Sequence, residues 1–334
     1  MSRYREEAAT QPCAARPFDK RDCVLVALEP SAAGWPLTVQ RGLEVASSIG
    51  GDIVLVSVVF DPVIAGGLVG AEDLVGVSKQ RAIDEARRKL APLARSLREH
   101  GAAVEVRVVW DAAPYRGILR AAQELEANLV VVGAHEPRSL WQSALPNTVL
   151  HLMRLPPCPL LVVKEPTLDG YSTILVAVDP AGGDNATDRG VLSAAERFAR
   201  AFGSELRAVH AFPDPEMFAL ASAVEVSPGV ILGTENVAEL HRRAVAEAVS
   251  AYGIDDDRID ARAGAPSAVI LDVMTEQRAR LVILGASERG ALERSILGST
   301  VETVAAGAAC DVLLVPRHPE PLARVAGRSM DARV

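Results

Sequence analysis

The sequence predicts an α/β protein made of two tandem copies of one doubly wound domain, each with a five-stranded parallel sheet of Rossmann-like topology. A gapless internal repeat, an alternation of β-branched runs with helix-period segments, and an apolar content drawn from small aliphatic residues lead to that expectation. Residues 114–163 and 266–315 align without a gap at a constant offset of 152, so that Pro114 meets Pro266, Gly133 meets Gly285, Thr148 meets Thr300 and Cys158 meets Cys310. Upstream, Val24-Leu25-Val26-Ala27-Leu28 resembles Ile174-Leu175-Val176-Ala177-Val178 at an offset of 150. Chance does not hold a register that long, and the duplication therefore covers whole domains.

Each element follows from pattern. In the first copy, apolar β-branched runs place strands at 24–28, 53–59, 104–109, 129–132 and 160–163, and period-3.6 segments place helices at 37–48, 76–99, 114–126 and 145–153. The second copy repeats the set, with strands at 174–178, 205–211, 258–261, 281–284 and 312–315 and helices at 187–201, 234–251, 266–277 and 300–306. Strand-helix alternation of this kind makes parallel βαβ units. Pro114 and Pro266 suit a first helical turn, where a missing amide donor costs no intrahelical bond. Residues 1–21 and 317–334 lack periodicity and read as tails. The intervening residues divide into a first domain at 22–165 and a second at 166–316, joined by a linker too short for free tumbling. Segments 68–75 and 218–233, after the second strand of each copy, read either as lids or as surface excursions.

Composition limits the function classes. A chain of 334 residues with 49% apolar and 4% aromatic content has the aliphatic core of a layered α/β protein. A net charge of −8 without a Lys/Arg stripe gives no footprint for nucleic acid. No apolar run is long enough to span a membrane and the first residues lack a signal-peptide core, so a cytoplasmic protein with no membrane partner is expected. Cys13, Cys23, Cys158 and Cys310 include no CxxC pair and read as free thiols, all but Cys13 beside strands.

In a doubly wound sheet, ligands bind beyond the carboxyl ends of the strands where strand order reverses. That rule singles out five loops of the second copy: Asp179 after its first strand, His210-Ala211 at the second, Gly264-Ala265-Pro266 after the third, Gly285 to Glu288 after the fourth, and Gly298-Ser299-Thr300 opening the last helix. Gly298 allows close backbone approach, and the amides of Ser299 and Thr300 can face phosphate oxygens with help from the helix dipole. Structural readings stand beside these. Gly285 can simply relieve a strand exit, and Ser299 can cap the helix against Glu302, since S-T-V-E has capping-box spacing.

These residues resemble the universal stress protein superfamily, especially its tandem, E-type members, over nearly all of residues 22–316. The resemblance implies an adenine nucleotide alpha hydrolase-like fold. Its nucleotide-binding branch ends the fourth strand in G-x2-G-x9-G-(S/T), around ribose and phosphates. Carried over, Gly285 matches the first Gly, Gly298 the third, Ser299 the Ser/Thr and Asp179 a nucleoside-holding Asp, while Ala177 and Ala211 line the adenine pocket. Glu288 stands where the second Gly belongs; its carboxylate repels a triphosphate unless it turns outward or is bridged by Mg2+. Gly290 lies two residues further on. The implied ligand is ATP, accompanied by Mg2+ in one version.

The first copy departs further, with Glu29 for the Asp, Glu136 at the second Gly and Pro146-Asn147 for Gly298-Ser299, and proline removes an amide donor where phosphate needs one. It reads as a structural partner. His135, Glu136, His151 and Cys158 do not have structural-zinc spacing. Trp110 and Asp111 read as pocket wall or as an ordinary half-buried pair.

Three function classes remain: a nucleotide-binding regulatory protein with at most slow hydrolysis, a stress or signalling scaffold independent of nucleotide, and a flavoprotein, weakened by the lack of an aromatic or Arg cluster. No Walker lysine, arginine finger or Ser-His-Asp set marks a dedicated enzyme. The resemblance further implies pairing of the copies through their last strands as an internal pseudo-dimer, with any homodimer left to other surfaces.

Overall fold

The structure, a computed structural model, describes residues 22–29, 34–65, 72–134, 147–154, 156–164, 170–180, 185–214, 234–286 and 298–316. The first copy comprises β1 (Cys23–Leu28), α1 (Leu37–Ile49), β2 (Asp52–Val59), a single turn α2 (Pro62–Ala65), α3 (Glu72–Glu99), β3 (Val104–Trp110), α4 (Pro114–Glu124), β4 (Leu129–Gly133), α5 (Asn147–Arg154) and β5 (Leu160–Val163). The second comprises β6 (Thr173–Ala177), α6 (Asn185–Phe202), β7 (Glu205–Phe212), α7 (Thr234–Val249), β8 (Ile259–Ala263), α8 (Pro266–Glu276), β9 (Leu281–Ala286), α9 (Ser299–Gly307) and β10 (Asp311–Pro316).

The ten strands among the described residues form one sheet in the order β3-β2-β1-β4-β5-β10-β9-β6-β7-β8. Within each copy every pairing is parallel. The copies meet where β5 runs antiparallel to β10, with Val162 opposite Val312 and Leu160 opposite Leu314. An apolar strand edge left unpaired is an aggregation template. Here none of the residues 160–163 and 312–315 is more than 6% exposed. Because the seam is antiparallel, the strand ends of the two copies, and hence their crevices, lie at opposite edges of the sheet.

Two apolar layers follow from the pleat. One face buries Val24, Val26, Leu161, Ile174, Ile283 and Leu313 under α1, α3, α6 and α7. The other buries Leu25, Val130, Leu160, Val282 and Leu314 under α4, α5, α8 and α9. Each layer runs through the seam without a break. Strands covered on both faces need near-continuous apolar runs, which is the pattern the sequence carries.

Charged groups lock the seam from the α1 side. Asp311, fully buried, accepts hydrogen bonds from the Lys164 amide at 2.7 Å and the Tyr171 hydroxyl at 2.9 Å, and Arg41 Nε stands 2.8 Å from the same carboxylate. Arg41 also pairs with Glu44 and lies 4.7 Å over the Tyr171 ring. The Lys164 ammonium donates to the carbonyls of Ala305 and Ala306 at the end of α9, at 2.9 and 3.0 Å. Burial pushes the Lys164 pKa down and holds the Tyr171 hydroxyl well above its ordinary value. A second bridge between copies joins Arg197 to Asp22.

Boundaries differ from the sequence expectations for local reasons. β8 starts at Ile259 because Asp256–Arg258 form a 3-10 turn. The helix expected to end at 251 instead becomes a 3-10 turn at Ser250–Tyr252, closed by Gly253 at φ 70°. α3 begins at Glu72, so the segment expected to be loose at 68–75 is partly helical. The counterpart at 218–233 lies outside the described residues, as do 1–21 and 317–334. Cys158 and Cys310 are buried free thiols and Cys23 is half-buried; Cys13 lies outside the described residues.

Candidate functional site

The second copy's sheet has the order β10-β9-β6-β7-β8, so strand order reverses between β6 and β9. The two strands are paired with Val176 opposite Ile283. Two residues further along, the same register sets Val178 opposite Gly285, with Asp179 just beyond. The crevice expected of this topology therefore opens between Asp179 and the end of β9.

Ala177 is the last residue of β6, and Asp179 stands two residues past the strand rather than ending it. Ala211 lies within β7, one residue before its end. Gly285 and Ala286 still belong to β9, half-buried at its carboxyl end. Gly264 follows β8 at φ 141°, a conformation open to glycine, and a Cβ there would stand 3.2 Å from Val269. Gly298 is the N-cap of α9, with Ser299 and Thr300 its first two helical residues. Glu288 and Gly290 lie outside the described residues.

The α9 terminus bears on the capping reading of Ser299. The cap residue is Gly298, no side chain among the described residues caps the helix, and the first intrahelical bond runs from the Glu302 amide to the Gly298 carbonyl at 3.1 Å. The capping box with Ser299 as cap is therefore not formed, because Ser299 is already helical and exposed. The amides of Ser299, Thr300 and Val301 lie ahead of the helical ladder, and the positive end of the helix dipole coincides with them.

Beneath the crevice is a polar cluster of which the sequence reading noticed only part. The Asp179 amide donates to Asp188 Oδ1 on α6 at 3.5 Å. His210, 3% exposed, places Nδ1 3.0 Å from the Val178 carbonyl and Nε2 2.9 Å from Nδ1 of His241 on α7. A carbonyl only accepts, so Nδ1 of His210 carries its proton; in the neutral pair, His241 then donates from Nδ1 to His210 Nε2. The Phe212 ring stacks on His241 at 4.4 Å and 6°. Burial raises the pKa of Asp188, opposed by the Asp179 amide bond. Burial and the neighbouring His210 lower that of His241.

Asp188 occupies, at the repeat offset of 150, the place of Thr38 in the first copy, and that signal was available in the sequence. His241 had no such marker. A lone histidine in an amphipathic helix reads as surface until the fold turns it inward.

In the first copy, the glycine at the end of β4 has a structural reason to be there. A Cβ on Gly133 would meet Thr38 Oγ1 at 2.7 Å. Asn147 opens α5, while Pro146, His135 and Glu136 lie outside the described residues. The His151 ring stacks on Tyr115 at 4.3 Å, and Cys158 Sγ faces the Pro159 carbonyl. Among the described residues, no group of three or more His, Cys, Asp or Glu is arranged to hold a metal ion. Trp110 packs against Phe60 and under Lys79, while Asp111 accepts the Ala113 amide and faces Arg116 and Arg120. No helix among the described residues is long and apolar enough to cross a membrane.

Comparison with known proteins agrees with this fold. Universal stress protein E of Salmonella typhi is 25% identical over 296 residues, covering 87% of this chain and 93% of the relative. The Escherichia coli K12 protein of that name is 24% identical over the same share. A Thermus aquaticus universal stress protein is 31% identical over 146 residues, 43% of this chain and 98% of its own length. Among solved structures, a universal stress protein from Archaeoglobus fulgidus DSM 4304 superposes with a TM-score of 0.61 at 18% identity, covering 89% of this chain and 97% of that one. A Pseudomonas aeruginosa PAO1 protein superposes with a TM-score of 0.66 at 21% identity, covering 89% and 92%. The model of the Universal stress protein family matches residues 21–164 and again 170–316, and the chain belongs to that family.

Proposed function

We infer that this protein is a stress-response regulator that binds an adenine nucleotide, ATP, in its second copy and hydrolyses it slowly if at all. The observation that carries the reading is the α9 N-terminus. Among the described residues no side chain caps its leading amides, its cap is a glycine, and it belongs to the copy whose strand ends also bring Ala177, Asp179, Ala211 and Gly285 to the sheet reversal. Phosphate oxygens suit such a terminus, because backbone donors and helix dipole act together. Asp179 beside the β6 end suits a ribose hydroxyl. Residues 22–165 then serve as the structural copy and 166–316 as the nucleotide copy.

Mg2+ would arrive with the triphosphate, since these residues offer no cage of their own among those described. The sequence marks no Walker lysine and no arginine finger, which is in keeping with slow hydrolysis at most. A cytoplasmic location suits this role. The rival reading, a nucleotide-independent scaffold, draws on Glu288 at a glycine position.

Titration calorimetry with ATP, with and without Mg2+, separates the two. One site per chain is expected. Gly298→Val should abolish binding, since its branched side chain fills the space phosphates need. Glu288→Gly should tighten binding about tenfold if the carboxylate faces phosphate, worth about 1.4 kcal/mol. No heat with the parent protein, and none with either variant, would leave the scaffold reading standing.

A further inference from the structure

Besides the backbone bond from the Val178 amide to the Val209 carbonyl at 3.0 Å, the Val178-Asp179 corner is held by titratable side chains. His210 on β7 engages the Val178 carbonyl, and Asp188 on α6 engages the Asp179 amide. His210 is in turn bonded to His241, which belongs to α7. On that helix His241, Val245 and Val249 fall at successive fourth positions and so share a face. Val245 and Val249 are fully buried, whereas Leu240 is 56% exposed. Among the described side chains, the fully buried apolar anchorage of α7 is therefore in its second half, and the histidine pair takes that place one turn earlier.

The first copy is built differently. Its strand pairing sets Ser57 opposite Leu28, the place that His210 takes beside Val178. Its helix α3 is anchored along the same face by Ala86, Leu90, Ala94 and Leu97, each at most 4% exposed. No histidine pair is needed there, and one molecule thus holds both designs.

We propose that the His210–His241 pair is a proton-operated latch, which ties the first half of α7 to the strand-end corner at neutral pH and releases it on acidification. In the neutral pair the chain runs His241 Nδ1–H to His210 Nε2, then His210 Nδ1–H to the Val178 carbonyl. A first proton is tolerated, because His210 can donate from both nitrogens if His241 turns its Nδ1 into an acceptor. A second proton is not, because both facing nitrogens then carry hydrogens at a separation of 2.9 Å.

The surrounding groups support that order. Asp179 beyond β6 and Asp188 on α6 face the pair and favour the first charge. Ala261, opposite His210 on β8, adds none. On α7, Glu239 is paired with Arg242 and Arg243. Burial and the first charge oppose the second, in keeping with the lowered pKa of His241. The sign is that of a depressed base: the latch contributes above the ordinary imidazole value and is lost as pH falls through the folded one.

Its bearing on occupancy of the crevice rests on the nucleotide reading, since Asp179 and Ala211 adjoin Val178 and His210. The latch itself does not, and the test separates them. Amide hydrogen-exchange protection factors are measured on the full chain at pH 7.5 and 5.0, with α3 as internal reference. In the parent protein the first half of α7 should lose at least about tenfold protection relative to α3 on acidification. His241→Asn keeps a donor at the Nδ1 position and can flip its amide to accept, so its protection should stay level at both pH values. His241→Leu fills the core-facing position and should be level as well. Parallel loss in the parent and both variants, or no loss in the parent, overturns the latch. ATP titrations of the same proteins at both pH values should show weakening in the parent alone. If nothing binds ATP at either pH, the nucleotide reading falls, while the exchange data still decide the latch.

Discussion

Replacing Asp311 with alanine should be among the most destabilising single changes in the molecule, although Asp311 lies in neither crevice. Its carboxylate is fully buried, accepts from the Tyr171 hydroxyl and the Lys164 amide, and is ion-paired with Arg41. Removing one partner of a buried ion pair costs about 3–5 kcal/mol, because the remaining charge is left in a poorly solvating environment. Arg41 keeps Glu44, which offsets part of that loss. The orphaned Tyr171 hydroxyl and Lys164 amide add about 1–3 kcal/mol each in isolation, less where water enters the vacated space. A net loss of about 4 kcal/mol is expected, and at about 2–4 °C per kcal/mol it lowers the melting temperature by about 8–16 °C.

Calorimetry and urea unfolding read that loss, and a rescue variant tests its cause. In the combination Arg41→Met, Tyr171→Phe and Asp311→Leu, the polar groups that depend on one another are removed together and the seam stays filled. Stability should return to within about 1–3 kcal/mol of the parent, since well-packed apolar replacements of buried ion pairs are often neutral and only the Lys164 amide is left without its acceptor. If Asp311→Ala alone melts with the parent, the network adds nothing to the seam. If the triple variant is as unstable as the single one, packing and not stranded charge was the source of the loss.

Two further outcomes follow from the shifted groups. Tyr171 keeps its proton in the fold far above pH 10, so its contribution is complete below that value and is lost as pH rises through the folded one. Urea midpoints measured from pH 9 to 11.5 should fall with a one-proton slope that Tyr171→Phe lacks; equal slopes would contradict the burial of that hydroxyl. The Cys23 thiol is pushed from 9.0 up to about 11 by burial and by the carboxylates of Glu105, Asp52 and Asp22. Alkylation of Cys23 at pH 8, followed by peptide mass spectrometry, should run about 100-fold slower than in the urea-unfolded chain, and comparable rates would place the thiol in a more polar setting.

The fold was legible because its determinants are local or repeated. Continuous runs such as Leu160–Val163 read as doubly covered strands, and the gapless offset tied each element to its twin. Of the candidate site, the sequence offers only the positions that the repeat or the glycine pattern marks, such as Gly285 and Gly298, and the structure places these at the end of β9 and the start of α9. What escaped depends on contacts between distant residues. Arg41 sits in a helix whose pattern gives no reason to bury an arginine, and its partner Asp311 is 270 residues away, at the start of an apolar strand. His241 is hidden in the same way, since only the fold brings His210 beneath it. The Ser299 capping box failed for a different reason: a correct spacing was read one residue out of phase with the true cap, Gly298.

The asymmetry between the copies has one physical pattern behind it. Where the first copy keeps charged side chains in the protein interior, they point at the second copy: Arg41 and Lys164 at Asp311 and the end of α9, and Asp22 at Arg197. At the repeat offset the partners of Arg41 and Asp311 are Val191 and Pro159, so the network has no twin across the seam. Two first copies brought edge to edge would set Arg41 against a strand with no buried carboxylate, and two second copies would bury Asp311 without its arginine. Unpaired buried charge is costly in either arrangement, so the seam favours union of unlike copies. The same asymmetry relates the seam to the crevice, because Lys164 holds the carboxyl end of the helix whose amino end is the candidate phosphate site. A cation at a helix C-terminus and an anion at its N-terminus both stabilise the helix through its dipole, and here the two ends fall to different copies. The first copy, with Pro146-Asn147 where the second has Gly298-Ser299, contributes the residues that hold its neighbour's helix in place, and on the nucleotide reading the phosphate falls to the second copy alone.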